Sequence, residues 1–414
     1  MKPIELESRH CARNYAPLPV TLVRGQGAHV WDDAGRRYLD MMSAYSAVSH
    51  GHSHPRLVKV LAEQASRLAI VSRAFHAETL GPFLATLSVR TGFEKILPMN
   101  TGAEAVETAI KAARRWGTDV KGIPEGQAEI VVARGNFHGR TTTIVGFSSE
   151  PDYRRGFGPF APGFKEVPFG DVRAMAEAIT ERTCAVLVEP IQGESGIIVP
   201  PEGWLREVRR LCTERRALLI LDEIQSGLGR TGRWFAFEHE GVRPDGLILG
   251  KALGGGLLPV SAFCAGAEVM DVFVPGSHGS TFGGNALAAA VGLEALKVLD
   301  EEKLVERSAH LGAHMLERLR AMRSPAVKTV RGRGLWVGLE LDPARAEAHD
   351  VCLRLAAAGV LTKETHETVI RLAPPLVVAE ADLDWALDRV QGVLDELAPP
   401  RRSATAFAAA RTIA

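Results

Sequence analysis

The chain has 414 residues, 46% of them hydrophobic and 24% charged, which is too long for one ordinary compact core and has the composition of a folded globular protein. Its 49 Lys and Arg balance its 49 Asp and Glu, so the basic excess that draws a protein to nucleic acid or anionic lipid is missing, and no apolar run is long enough to span a bilayer. Five cysteines, Cys11, Cys184, Cys212, Cys264 and Cys352, stand far apart with no C-x-x-C pair, so neither a disulfide framework nor a cysteine zinc site is expected, and a reducing cytoplasm fits.

The opening MKPIELESRHCARNYAPLPV lacks the apolar core of a secretory signal and the Arg-rich, acid-poor character of an organelle presequence, and reads as untargeted. Pro17, Pro19 and the stretch RGQGAHVWDDAGRRYLD (24–40) predict a hairpin arm over 1–45. The run SHGHSHP brings His50, His52 and His54 together, but Gly51 and Pro55 favour a turn and no acidic or cysteine ligand is spaced nearby, so no metal is expected.

MNTGAEAVETAIKAARRW (99–116) predicts a helix with Ala103, Val106, Ile110 and Ala113 on its apolar face. Its start, Asn100-Thr101-Gly102, offers free backbone N–H groups to a phosphate, or is simply the N-cap of a surface helix. In GNFHGRT, Phe137 can stack on a flat ring and Arg140 can grip a carboxylate with both arms of its guanidinium, although each also has an ordinary structural reading.

AEIVVA (128–133), CAVLVEP (184–190), ALLILDEI (217–224) and GLILGKA (246–252) are nearly continuous apolar runs, as expected of strands buried on both faces. Helix-length segments between them predict βαβ units and a mostly parallel sheet, with ligands at the carboxyl ends of the strands. Asp222 ends one such strand and Lys251 follows the next, in LILGKALGGG. A Walker A loop is excluded there, because GxxxxGK[ST] needs a glycine at 245 and a hydroxyl at 252, where Asp245 and Ala252 stand. A strand-end lysine is often a surface charge, but the apolar run before Lys251 also suits a buried nucleophile of lowered pKa. Asp222 either caps a turn or holds a pyridine nitrogen protonated, making the ring an electron sink.

Leu304, Leu311, Met315 and Leu319 mark one face of a long helix, and VRGRGLWVGLEL (330–341) follows it, a change of pattern that suggests a smaller α+β domain. The reading is an α/β protein with a large domain over 46–303, a small one over 304–398 and a tail over 399–414.

MNTGAEAVETAIKAARRWG, FGPFAPGF, VEPIQGESGIIVP, LDEIQSGLGRTGRW, RPDGLILGKALGGGLLPVSA, GSTFGGN and VIRLAPPL, in this order, resemble the class III, fold-type I aminotransferases, and among them the ornithine aminotransferases, from about Asn14 to Leu397. The resemblance implies pyridoxal 5'-phosphate as cofactor, held as a Schiff base by Lys251 with Asp222 at its pyridine nitrogen. It puts Gln225 near the phenolic oxygen, Phe137 and Ile224 on the ring faces, and Thr101, Gly102 and Ala103 at the phosphate. Thr281 would reach the phosphate of the other subunit, which implies a homodimer. For substrates it implies ornithine and 2-oxoglutarate. Arg140 would take the far carboxylate of both, and Arg371 the α-carboxylate of 2-oxoglutarate, masked by Glu194 when ornithine enters. Tyr15 would meet the α-amino group of ornithine, and Tyr45, aliphatic in the acetylornithine and 4-aminobutyrate enzymes, would shape the same pocket. His138 departs from the Trp of some ornithine enzymes, although histidine is common in the wider class. A scaffold that had lost the chemistry would not be expected to keep both Lys251 and Asp222.

Overall fold

The computed structural model describes residues 3–397, so the tail predicted over 399–414 lies outside the described residues. Near the start of the chain, β1 (Leu22–Gln26), β2 (His29–Asp32) and β3 (Arg37–Asp40) form an antiparallel meander. The turn into β3 is made by Asp32, whose Oδ1 accepts from the backbone N–H of Ala34 at 3.0 Å and of Arg36 at 2.8 Å.

The central sheet is built from β4 (Lys95–Met99), β5 (Glu129–Ala133), β6 (Phe164–Val167), β7 (Thr183–Val188), β8 (Leu218–Asp222), β9 (Gly246–Leu249) and β10 (Ser261–Ala265) in the order β4-β10-β9-β8-β7-β5-β6. From β6 to β9 all neighbours are parallel, while β10 is antiparallel to both β9 and β4. Every residue of β7, β8, β9 and β10 is buried, as the unbroken apolar runs require. Each buried Val, Leu or Ile contributes roughly 1.5–3 kcal/mol, a reserve large enough to hold strained or polar groups at the sheet edge. The connection from β8 to β9 departs from the expected βαβ step, because its only helical turn is the short 3-10 segment Ala236–Glu240.

Asp222 pairs with Ile248 across β8 and β9, so Lys251, three residues further on, emerges at the same carboxyl edge. The helix Gly102–Asp119 also begins there. A capping box starts it: Thr101 Oγ1 accepts from the Glu104 N–H at 3.3 Å, and Glu104 Oε2 accepts from the Thr101 N–H at 2.7 Å. Its buried face is wider than the predicted stripe and includes Ala105, Thr108, Ala109, Ala112 and Trp116 besides Val106, Ile110 and Ala113.

A further sheet is formed by β11 (Val327–Gly332), β12 (Val337–Leu341), β14 (Glu364–Thr365) and β15 (Val369–Leu372), while β13 (Val360–Leu361) pairs in parallel with β3. The helix Leu304–Ala321 buries Leu304, Leu311, Met315 and Leu319, the four positions its periodicity singles out. It packs beside the helix Glu380–Leu397. The fully buried Arg230 joins segments distant in sequence, its Nη1 donating to the carbonyls of Leu335 at 2.9 Å and Pro374 at 2.6 Å and its Nη2 to Ser49 Oγ at 3.0 Å. Burial pushes this guanidinium's pKa down to about 9. Cys184, Cys212, Cys264 and Cys352 are buried, Cys11 is exposed, and none is bridged. No helix among the described residues is long and apolar enough to cross a membrane.

Candidate active site

At the carboxyl edge of β8, Asp222 is buried and its Oδ2 lies 2.7 Å from His138 Nδ1, while its Oδ1 accepts from the Ile224 N–H at 3.0 Å. Burial of the imidazole disfavours its charge, but the hydrogen bond to Asp222 and the charges of Asp222 and Glu189 outweigh it, so the His138 pKa is raised.

Glu189 lies just past β7 and is buried as well; its two oxygens accept from the N–H groups of Phe137 at 3.0 Å and Gly193 at 3.2 Å. Burial raises its pKa to about 7. Neither His138 nor Glu189 is assigned a role by the sequence reading. For Glu189 a signal exists, since it follows a buried strand at the same edge as Asp222.

Lys251 follows β9 with φ of +45°, a left-handed conformation that costs a non-glycine residue roughly 1–2 kcal/mol. Its Nζ forms no hydrogen bond with any of the described residues, and burial pushes its pKa below the ordinary value, against the opposing charge of Glu194. A second strained segment lies at Ser43–Ser46, where Ser43, Ala44, Tyr45 and Ser46 all have positive φ. Asp40 Oδ1, accepting from the N–H groups of Met42 at 2.8 Å and Ser43 at 2.9 Å, and Ser43 Oγ, donating to the Ala373 carbonyl at 2.6 Å, hold it in place. Strain of this kind persists only where the surroundings over-determine it, and it clusters at functional sites.

Tyr45 presents its ring to Arg371, whose guanidinium carbon is 4.7 Å from the ring centroid. Arg371 in turn forms a two-armed ion pair with Glu194, Nη1 to Oε1 at 3.1 Å and Nη2 to Oε2 at 3.0 Å. Gln225 Nε2 also donates to Glu194 Oε1, at 3.0 Å. Burial alone would raise the Glu194 pKa, but the charge and hydrogen bonds of Arg371, with Lys251 and Gln225, lower it to about 2.

A depressed carboxylate pKa means stability that is fully present above the ordinary 4.5 and lost as pH falls toward 2. Glu194→Gln is therefore expected to lower the urea unfolding midpoint above pH 4.5, and the gap to wild type should close on acidification toward pH 2. Urea titrations over that range check this; a gap independent of pH would place the loss elsewhere.

The remaining predicted positions are distributed around this centre. Ile224 packs against Gly102 so closely that a Cβ at 102 would sit 2.8 Å from Ile224 Cδ1. Ala103 follows on the first helical turn. Phe137 and Tyr153 flank Arg140, whose guanidinium carbon is 5.5 Å from the first ring centroid and 3.6 Å from the second. Arg140 is exposed and has no ion pair among the described residues, and Tyr153 is a neighbour that the sequence reading missed. Tyr15, 79% exposed, and Thr281 lie on the surface and are not drawn into the hydrogen-bonded centre. The three histidines of SHGHSHP diverge: His50 bonds the Ala295 carbonyl, His52 meets Asp40 and His54 meets Glu302.

Whether these residues suit pyridoxal phosphate can be judged from polar atoms left over. Gln225 Oε1 and His138 Nε2 are both buried without a hydrogen-bond partner among the described residues, which normally costs about 1–3 kcal/mol each. Gly193 leaves room beside the first, for a Cβ there would sit 2.3 Å from Gln225 Oε1. A buried carboxylate, an unbonded lysine amine, spare polar atoms and a helix start at one edge fit a phosphorylated, carbonyl-bearing heterocycle.

Comparison with known proteins agrees. The family profile Aminotransferase class-III matches residues 10–394. The ornithine aminotransferase of Halalkalibacterium halodurans is 56% identical over 392 residues, which cover 94% of this chain and 98% of that protein. An ornithine aminotransferase structure from Toxoplasma gondii, with PLP partly occupying its active site, superposes with a TM-score of 0.94 at 43% identity, over 95% of this chain and 93% of that one. The acetylornithine aminotransferase of Elizabethkingia anophelis gives 0.88 at 49% identity, over 95% and 98% of the two chains. On the family match, the near full-length identity and the shared fold, this chain belongs to the class-III aminotransferases and is an enzyme that uses pyridoxal 5'-phosphate.

Proposed function

We propose that this enzyme transfers the δ-amino group of L-ornithine to 2-oxoglutarate, giving L-glutamate 5-semialdehyde and L-glutamate, in two half-reactions. The reading is supported by relatives that are ornithine aminotransferases at 54–56% identity over nearly their whole length. The observation that carries it is the Glu194–Arg371 pair under Tyr45. Ornithine and 2-oxoglutarate both have a carboxylate far from the reacting carbon, and only 2-oxoglutarate has a second one near it. A single pocket must therefore offer a near-end cation to one substrate and conceal it from the other. With Glu194 in place Arg371 is neutralised and not left as a lone buried charge; with Glu194 displaced it accepts a carboxylate on two arms.

When bound, the cofactor supplies a carbonyl carbon that takes up the amino group and a ring that delocalises the electrons left by proton loss. Lys251 Nζ would hold it covalently and, once freed by the substrate amine, would take a proton from the substrate carbon and return it, a role that a lowered pKa suits. Asp222, held by His138, would keep the ring nitrogen protonated. Phe137 and Ile224 would pack on the two ring faces, Gln225 would meet the phenolic oxygen, and Thr101, Gly102 and Ala103 would hold the phosphate at the helix start. Arg140 binds the far carboxylate, and Tyr15 and Tyr45 line the ornithine side.

In this reading two copies form a homodimer, the partner subunit's Thr281 completes the phosphate site, and the enzyme works in the cytoplasm on arginine metabolism and proline biosynthesis. Residues 1–45 act as an arm, 46–303 as the cofactor domain and 304–398 as a small domain; the seven-stranded sheet lies wholly within 46–303, while β13 of the small domain joins the sheet of the arm. Acetylornithine is the competing donor, because the Elizabethkingia relative is 49% identical. Tyr45, where enzymes of that kind tend to be aliphatic, favours ornithine, and a panel of ω-amino substrates separates the two.

The expected result for Glu194→Ala is a slower ornithine half-reaction, since the bare Arg371 attracts the ornithine α-carboxylate and turns the wrong amine inward, while 2-oxoglutarate reacts as well as before. Arg371→Ala should do the reverse. Losing one two-armed charged contact corresponds to about tenfold or more in the affected half-reaction, at ~1.4 kcal/mol per decade. Stopped-flow spectra of the separate half-reactions read this, and equal losses in both would refute the switch.

A further inference from the structure

Away from the active site, two helices present matching ladders. His310, His314 and Arg318 recur every four residues on Leu304–Ala321, and Glu380, Asp384 and Asp388 do the same on Glu380–Leu397, so each set shares one helix face. The rungs meet: His310 Nε2 is 3.9 Å from Glu380 Oε2, His314 Nε2 is 2.7 Å from Asp384 Oδ1, and Arg318 reaches Asp384 and Asp388 at 2.7 Å each. One ligand atom each from His314, Glu380 and Asp384 lie within 4.8 Å of one another. We propose that His314, Glu380 and Asp384, with His310 as a fourth donor, form a binding site for a divalent cation of the zinc class that ties these two helices together.

The donor chemistry distinguishes this from an ordinary ion-pair ladder. An imidazole is a cation only when doubly protonated, and otherwise it offers a lone pair that suits Zn2+ together with carboxylate oxygen. Of the three carboxylates, Arg318 neutralises one, leaving two negative charges facing two imidazoles, which a dication balances. Zinc bonds of roughly 2.0–2.2 Å set tetrahedral ligand atoms about 3.4 Å apart, so His314 Nε2 and Asp384 Oδ1, 2.7 Å apart, must open while the more distant atoms, up to 4.8 Å apart, close in, movements within reach of side chains that are partly exposed. His314 Nε2 must release its hydrogen from Asp384, so uptake releases a proton wherever that nitrogen carries one. Because the ligands are some 70 residues apart in sequence, a bound ion also restrains the unfolded chain.

The test titrates ZnCl2 into the holoenzyme by calorimetry, with CoCl2 as a spectroscopic probe, for wild type, His314→Ala and Glu380→Gln. Wild type is expected to take up one more equivalent than His314→Ala, to show the visible bands of four-coordinate Co2+, and to gain Tm with added zinc. Glu380→Gln, a conservative change at an exposed position, should weaken that site about tenfold or more and serves alone if His314→Ala does not fold. Zinc taken up by the cofactor site is common to all three proteins and cancels in the comparison. Equal stoichiometry, equal affinity and an equal Tm response in all three would overturn the proposal and leave a ladder of ion pairs.

Discussion

Lys251→Ala is expected to remove transamination, lowering turnover by about 10,000-fold or more, the upper end of what a positioned acid–base group contributes. The change removes an amine that forms no hydrogen bond with the described residues and feels the charges of Glu194, Arg371 and Asp222, and with it both the covalent hold proposed for the cofactor and the group proposed to carry the proton. The fold should survive. Lys251 already has φ of +45°, where alanine is no more strained than lysine, and its side chain supplies no hydrogen bond to the described residues. The variant should therefore bind pyridoxal phosphate non-covalently, and added small primary amines should restore part of the rate. Borohydride reduction of wild type followed by peptide mass mapping should label Lys251; a label on another lysine would remove it from the role proposed here.

Asp222→Ala is expected to lower turnover by about a thousandfold, some 4 kcal/mol at ~1.4 kcal/mol per decade, with cofactor still bound. Two losses combine. The proposed counter-charge to the ring nitrogen disappears, and His138, whose raised pKa depends on Asp222, is left as a buried ring without its Nδ1 partner. Asp222→Asn separates them, since it retains a polar partner for His138 but not the charge. If the charge matters, Asn should be nearly as slow as Ala. Turnover of the Ala variant within threefold of wild type would show that the carboxylate has no part in the chemistry.

Much of this was legible in the linear sequence, for reasons that are local. Buried strands appear as unbroken apolar runs because both faces are covered, and so Asp222 and Lys251 could be recognised as strand-end groups before any contact was known. The N-cap at the start of the helix Gly102–Asp119 and the spacing of Leu304, Leu311, Met315 and Leu319 by seven, four and four residues follow equally from short-range geometry. The roles expected of Arg371, Glu194 and Tyr45 came through resemblance to a family, not through any pattern of their own.

What folding alone decided is which distant groups meet. Arg371 and Glu194 are 177 positions apart and His138 and Asp222 are 84 apart, and no periodicity links such pairs. Their meeting depends on sheet order, where β8 lies between β7 and β9, and on β15 bringing Arg371 to Glu194. The left-handed turn at Ser43–Ser46 was equally invisible, because its strain is sustained by Asp40 and by the Ala373 carbonyl 330 residues away from Ser43. The opposite pKa shifts of Glu189, raised to about 7 by burial, and Glu194, lowered to about 2 because Arg371 outweighs its burial, have the same origin. A carboxylate's charge is set by the cations and dipoles that surround it in space, and its neighbours in sequence supply few of them.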